Sequence, residues 1–224
     1  IDKNGDSLWT KTLGTTGPDR ANSIIRISDT TYAVGGEWYV ADSSAAKGFV
    51  LKINDQGVVE WFDTLGHLSG AFAVLDLTPN LYGIQFAGYR LNNNSDYDKF
   101  SGSIGLDGVV LTQVAPVDGL DAKEIIQQFA YLPQQDLTIL GIQVLNNNTY
   151  QEPFDLYFGY GDAYYGYWMS GIPSTTILNQ GYDNIGNIRP TLDGGFIATG
   201  MNSVIVDGQN QLNGGSNVFV IKIN

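Results

Sequence analysis

The sequence predicts an all-β chain of about four repeated, four-stranded antiparallel sheets, and three observations carry that expectation. Two stretches, IDKNGDSLWTKTLG and INDQGVVEWFDTLG, repeat a polar turn, a tryptophan and a closing Thr-Leu-Gly, moving the tryptophan from Trp9 to Trp61. Glycine fills 28 of 224 positions, well above its usual ~7%, which suits short strands joined by tight turns. Further anchors recur in fixed order along the chain. A phenylalanine introduces an apolar run at Phe49, Phe100, Phe154 and Phe219, and a glycine ends one at Gly36, Gly88, Gly141 and Gly200. The turn glycine recurs at Gly5, Gly57 and Gly108.

In the first unit the segments LWTKT, SIIRIS, TYAVGG and GFVLKI are rich in β-branched and aromatic residues and bounded by Gly, Asp, Asn or Pro, so each reads as a strand. Between the second and third strands lie the polar turns SDTT, TPN, PQQD and LDGG in the four units, the last with the Asp-Gly chemistry that hairpins favour. Each unit is thus a four-stranded meander. The units fall at about 1–54, 55–105, 106–160 and 161–224 of a single domain spanning 1–224. Unit three holds one conflict: in DAKEIIQQFAYL, Ala122, Ile125, Ile126 and Phe129 have helical spacing, and Asp121 and Glu124 are placed like a capping box. Its position is that of the second strand elsewhere, and tertiary context overrides local propensity, so strand is expected.

A sheet that cannot cover both apolar faces alone, repeated at a fixed period, suits the blades of a β-propeller. The tryptophan then has a physical role. Its ring lies against the glycine turn of a neighbouring blade, burying roughly 150–250 Å²; Trp9 and Trp61 are the docking rings, and Gly5, Gly57 and Gly108 mark the turns. Thr112 stands where a third tryptophan is expected. Ile1-Asp2 and Ile223-Asn224 share the phase of Ile53-Asn54. The four periods are therefore read as part of a larger propeller array, with a complete four-bladed ring as the alternative.

The phrase [Asp/Asn]-x-x-Gly-x-x-x-Trp, in DKNGDSLW and NDQGVVEW, resembles the tryptophan-docking repeats of quinoprotein-like propellers. The fuller pattern adds W-x-K-T-L-G, S-I-I, an apolar strand ending in Gly, and F-V-I-K-I-N. It is similar to the propeller repeats of large secreted and cell-surface proteins of Bacteroidota. Kelch repeats are a weaker match, through Gly35-Gly36. The resemblance implies export to the bacterial outer-membrane exterior and a role in adhesion, scaffolding or polymer capture, and it carries over no catalytic residues. It also implies O-glycosylation at Asp-Ser/Thr-x motifs, here at Ser7, Thr30, Ser43 and Thr64, with unmodified surface turns as the alternative.

Charge and composition exclude several classes. With 11 Lys+Arg against 23 Asp+Glu, the net charge of −12 repels phosphate backbones and anionic membranes, so nucleic acid is not an expected partner. Cysteine is absent and His67 is the only histidine, which removes thiolate chemistry and multi-histidine metal sites. No apolar run approaches the ~18–20 residues of a membrane span. The expected partners are proteins of the cell envelope, additional repeats of the same chain, or glycans.

The connections between the glycine and phenylalanine anchors lie on one face of every blade, and insertions there mark a binding surface. They include the Asn-rich LNNNSDYDK and LNNNTYQEPFD. Trp38 and Tyr39, just past Gly36, are binding candidates. In YFGYGDAYYGYW, residues Tyr160, Tyr164, Tyr165, Tyr167 and Trp168 make either a sugar-stacking platform or packing between adjacent strands. Asp96 and Asp98 are weak Ca²⁺ candidates, and no other cofactor is expected. DKNGD opens like an EF-hand loop, but Leu13 holds the place of the closing glutamate. A lone His67 gives poor support to a Ser-His-Asp site. The function expected first is a non-enzymatic binding or scaffold module. A lectin-like propeller and a propeller glycosidase or lyase using loop carboxylates are the alternatives.

Overall fold

Short runs of β-branched and aromatic residues, cut by Gly, Asn and Asp turns, form fifteen strands and no helix among the described residues. The computed structural model describes residues 3–40, 45–66, 70–91, 97–114, 123–145, 154–162, 168–169, 183–202 and 217–223. The first sheet contains β1 (Arg20–Arg26), β2 (Thr31–Val40), β3 (Ala45–Asn54) and β4 (Val59–Leu65), and the second β5 (Ala71–Pro79), β6 (Ile84–Leu91), β7 (Tyr97–Ile104) and β8 (Val110–Val114). The third contains β9 (Lys123–Leu132), β10 (Leu137–Leu145), β11 (Phe154–Asp162) and β12 (Trp168–Met169), and the fourth β13 (Asp183–Pro190), β14 (Phe196–Asn202) and β15 (Asn217–Ile223). Every sheet is an antiparallel meander in chain order. The segment with helical spacing is strand β9, because β10 offers it a full antiparallel partner.

The repeat differs from its expected phase by one strand. The tryptophan strand was expected to open each unit; Trp61 instead lies on β4, the last strand of its sheet, paired with β3. The reason is the turn between them. Gly57 N–H donates to Asn54 O at 3.0 Å, Asn54 Oδ1 takes the N–H groups of Gln56 and Val58, and Gly57 has φ +77°. That closure makes a hairpin of β3 and β4 and draws the tryptophan to the upstream sheet.

Successive sheets pack face to face. Ala33, Val50 and Leu65 of the first meet Phe72, Val74, Leu77, Phe86 and Phe100 of the second. Ala87 of the second joins Ile126, Phe129 and Leu140 of the third, and Ala130, Leu132 and Ile139 of the third meet Ile185, Ile188, Phe196 and Ala198 of the fourth. This is the blade arrangement of a β-propeller. Close approach demands small residues: a Cβ on Gly35 would lie 2.7 Å from Val74 Cγ1, and one on Gly141 2.2 Å from Ile185 Cδ1. The anchor glycines therefore do two jobs. Gly141 shares the register of Gly35, whereas Gly36 and Gly88 press against the inner strand, where a Cβ would meet Arg20 O at 1.9 Å and Ala73 O at 2.0 Å.

Candidate functional site

The inner strands β1, β5, β9 and β13 each skip one residue at the same register: Asn22, Leu75, Gln127 and Gly186. Such bulges bend a strand and re-aim its side chains. Here they aim polar groups across the sheet boundaries. Asn22 Nδ2 donates to Val74 O at 2.8 Å, and Ser23 Oγ donates to Asp76 Oδ1 at 2.9 Å. Asp76 Oδ1 also accepts Leu77 N–H at 2.9 Å, while Oδ2 accepts Phe129 N–H at 3.1 Å. One buried carboxylate thus ties the first, second and third sheets. Burial pushes the Asp76 carboxyl above its ordinary range, against the N–H groups of Phe129 and Leu77, the Ser23 hydroxyl and the more distant Arg189 charge. A second buried link, Thr138 Oγ1 to Gln85 Oε1 at 2.6 Å, joins the second and third sheets.

The second polar cluster sits where β2 and β6 end and β3 and β7 begin. Arg20 and Glu37 approach to 3.8 Å, and the Arg90–Asp98 pair, at 3.9 Å, is largely withdrawn from solvent. The Tyr89 and Tyr97 rings meet edge to face with centroids 5.1 Å apart. Burial, then the nearby Glu37 and Tyr97, raise the Tyr89 hydroxyl above its usual range. Asp19 accepts the Tyr39 N–H at 2.7 Å and the N–H and hydroxyl of Thr15. Burial works to raise its carboxyl, but these bonds outweigh it and hold Asp19 below the ordinary value.

Of the expected binding residues, Trp38 and Tyr39 do reach this end. Trp38 packs its ring on Phe62 and Phe49, with centroids 4.7 and 5.8 Å away, so it is part of the sheet's own packing. A Cβ on Gly17 would fall 2.0 Å from Tyr39 Cδ1, so that ring is covered on one side by backbone. Tyr160 lies on β11 opposite Ile139 and Met169, and Trp168 on β12 opposite Gly161. Tyr164, Tyr165 and Tyr167 lie outside the described residues, as do Asp96, Ser43 and His67. Asp98 is engaged with Arg90, and the described residues contain no group of three or more His, Cys, Asp or Glu able to hold a metal. Ser7, Thr30 and Thr64 are exposed.

The tryptophans stand over glycine turns. A Cβ on Gly57 would be 3.0 Å from Trp9 Cε3, and one on Gly108 would be 3.0 Å from Trp61 Cδ2. Trp9 Nε1 donates to Asp55 O at 2.7 Å and Trp61 Nε1 to Leu106 O at 2.9 Å. Gly5 has the same left-handed backbone, at φ +91°, with open space over it. Thr112, in the tryptophan's place, instead shares a 2.8 Å hydrogen bond with Ser103.

Two residues escaped the sequence argument, Ser23 and Asp76. The signal was a lone carboxylate in the otherwise apolar strand AFAVLDLTP, since aspartate is almost never buried unless paired.

No family model matches the chain. No curated protein matches it either. Among solved structures it is similar to Bacteroides ovatus Xyloglucan PUL GH43B, with a TM-score of 0.45 and 12% identity, over 91% of this chain and 41% of that one. The chain therefore spans less than half the length of that structure.

Proposed function

We propose that this chain is a non-catalytic β-propeller module of an exported surface protein, binding through the end where β2, β3, β6 and β7 meet. The observation that carries the reading is the commitment of the acids among the described residues. At that end Glu37 is matched by Arg20, Asp98 by Arg90, and Asp19 by the N–H groups of Thr15 and Tyr39. In the interior, Asp76 accepts three structural hydrogen bonds. A glycosidase needs two carboxyl groups facing one another about 5–9.5 Å apart and free to touch the substrate. Acids engaged in this way hold a surface in shape. The Tyr89–Tyr97 pair, rimmed by ion pairs, favours a glycan as the form of ligand, because amphipathic rings suit sugar faces.

The test is calorimetric titration of the purified chain with a panel of neutral and acidic polysaccharides, with reducing-sugar release followed in the same samples. Binding without release is expected, and Tyr97→Ala should weaken it at least tenfold while the chain remains folded at the assay temperature. Sustained release that disappears in Asp98→Asn would overturn the reading in favour of an enzyme. Export is checked separately, by protease shaving of intact host cells: loss of the chain supports a surface location.

A further inference from the structure

At the end where β2, β3, β6 and β7 meet, most charged groups are spent on the protein itself. Asp19 takes the Tyr39 N–H, Asp98 lies against the buried Arg90, and the Lys47 ammonium donates to Gly66 O at 2.9 Å. Arg20 and Glu37 differ. They stand opposite each other on β1 and β2. Glu37 follows Gly35 by two residues, so it shares the sheet face that meets Val74 of the second sheet. Their closest approach is 3.8 Å, near enough for attraction but beyond a hydrogen bond. The Arg20 side chain is 72% exposed, whereas that of Glu37 is only 17% exposed. A carboxylate so shielded is ordinarily hydrogen-bonded. Glu37 has, among the described residues, the guanidinium alone, and at that distance.

Tyr89 completes the group. Burial, then Glu37 and Tyr97, raise its hydroxyl, and Arg20 opposes them, so both members of the pair bear on it. Its ring meets that of Tyr97 edge to face. An exposed fork of donors, a shielded acceptor and an aromatic pair thus converge at the boundary between the first two sheets.

The charges of the pair decide what fits between them. An anion drawn to Arg20 meets the Glu37 carboxylate, and a cation drawn to Glu37 meets the guanidinium. A hydroxyl satisfies both, because its oxygen accepts from the guanidinium while its proton goes to the carboxylate. An oxygen about 2.8 Å from each charged atom spans the 3.8 Å gap. The net charge of −12 acts in the same direction by repelling polyanions. The neighbouring rings offer a face to the C–H side of a sugar.

We infer that Arg20 and Glu37, with Tyr89 beside them, form a subsite for a neutral sugar unit, one hydroxyl lying between guanidinium and carboxylate and the sugar ring against the tyrosine pair. The inference rests on the glycan reading above and narrows it to uncharged polysaccharides.

The test is calorimetric titration of the purified chain at low and at high salt. Dextran, galactomannan and a β-glucan serve as neutral probes and polygalacturonate as the acidic one. At least one neutral probe should bind with an affinity that salt leaves unchanged, and polygalacturonate should bind more weakly. Arg20→Ala and Glu37→Gln, checked by circular dichroism to be folded at the assay temperature, should each weaken neutral binding about tenfold or more, the worth of a hydrogen bond to a charged group. Glu37→Gln should at the same time gain affinity for polygalacturonate, because Arg20 then stands unopposed; a variant merely disturbed in structure would gain nothing. Tight, salt-sensitive binding of polygalacturonate by the native chain overturns the inference, as does a Glu37→Gln variant with no such gain. So does neutral binding that Tyr97→Ala weakens but Arg20→Ala and Glu37→Gln leave unchanged. In those three cases the glycan reading stands, whereas failure of every probe to bind overturns both.

Discussion

Asp76→Ala removes the acceptor of the Phe129 N–H and of the Ser23 hydroxyl, and one of two acceptors of the Leu77 N–H. Leu77 keeps a partner, because Ser23 Oγ lies 3.3 Å from its nitrogen. The buried Phe129 N–H loses the carboxylate it donates to. An orphaned buried donor costs about 1–3 kcal/mol, and each hydrogen bond to a charged group contributes about 1.5–3 kcal/mol. Relief of the buried charge, which the raised carboxyl signals, offsets part of this. The net loss is therefore about 2–4 kcal/mol. Ser23→Ala should cost about 1 kcal/mol, and the double variant less than the sum, because the two residues share one bond. Urea unfolding followed by tryptophan fluorescence gives the energies, and amide hydrogen exchange at Phe129 locates them. Were Asp76→Ala to unfold within about 0.5 kcal/mol of the native chain, with the Phe129 amide still protected, the account of Asp76 as the joint between sheets would be wrong.

Trp61→Ala loses a ring stacked on the Gly108 turn and the bond to Leu106 O, an expected loss of about 1–3 kcal/mol for a half-buried ring, read by the same urea titration. Gly57→Ala forces a side chain into left-handed backbone, at about 1–2 kcal/mol, and presses on the Trp9 ring; thermal melts of the purified variant measure it. Asp193 should give a pH signature. The Thr191 hydroxyl and the Lys222 ammonium hold its carboxyl down to about 2, against an ordinary 3.8. A depressed value means the stabilisation is complete above pH 3.8 and is lost as pH falls towards 2. The melting-temperature gap between the native chain and Asp193→Asn, positive at pH 7, should narrow steadily as the pH is lowered from 3.8 to about 2.

How much of this was legible depends on which residues carried a period. Alternation and turn chemistry marked the strands, and the Asn54–Gly57 and Gly105–Gly108 turns named themselves by composition. The phase of the repeat was hidden, because a sequence period has no natural origin: whether Trp61 belongs with the strands before or after it is decided by the Asn54 turn, a three-dimensional closure. The bulges were hidden too. Asn22, Leu75, Gln127 and Gly186 share a register but no residue type, and only pairing with the second strand of each sheet reveals the skipped residue. Trp38 was a binding candidate because it lies just past the common glycine; Phe49 and Phe62, distant in sequence, supply the packing that claims it.

The strictly sequential meander has a kinetic corollary. Each ladder joins strands that are neighbours in the chain, so a sheet closes with short loops and little entropic penalty, in the regime where local contacts make folding fast. The joint through Ser23, Asp76 and Phe129 is different, since its partners are separated by about one repeat. A chain emerging progressively during synthesis therefore zips up sheet by sheet, but each sheet locks in place only after the next repeat has followed it out. The slow step should then be the docking of finished sheets, and Asp76→Ala should leave the formation of strands unchanged while delaying that final consolidation.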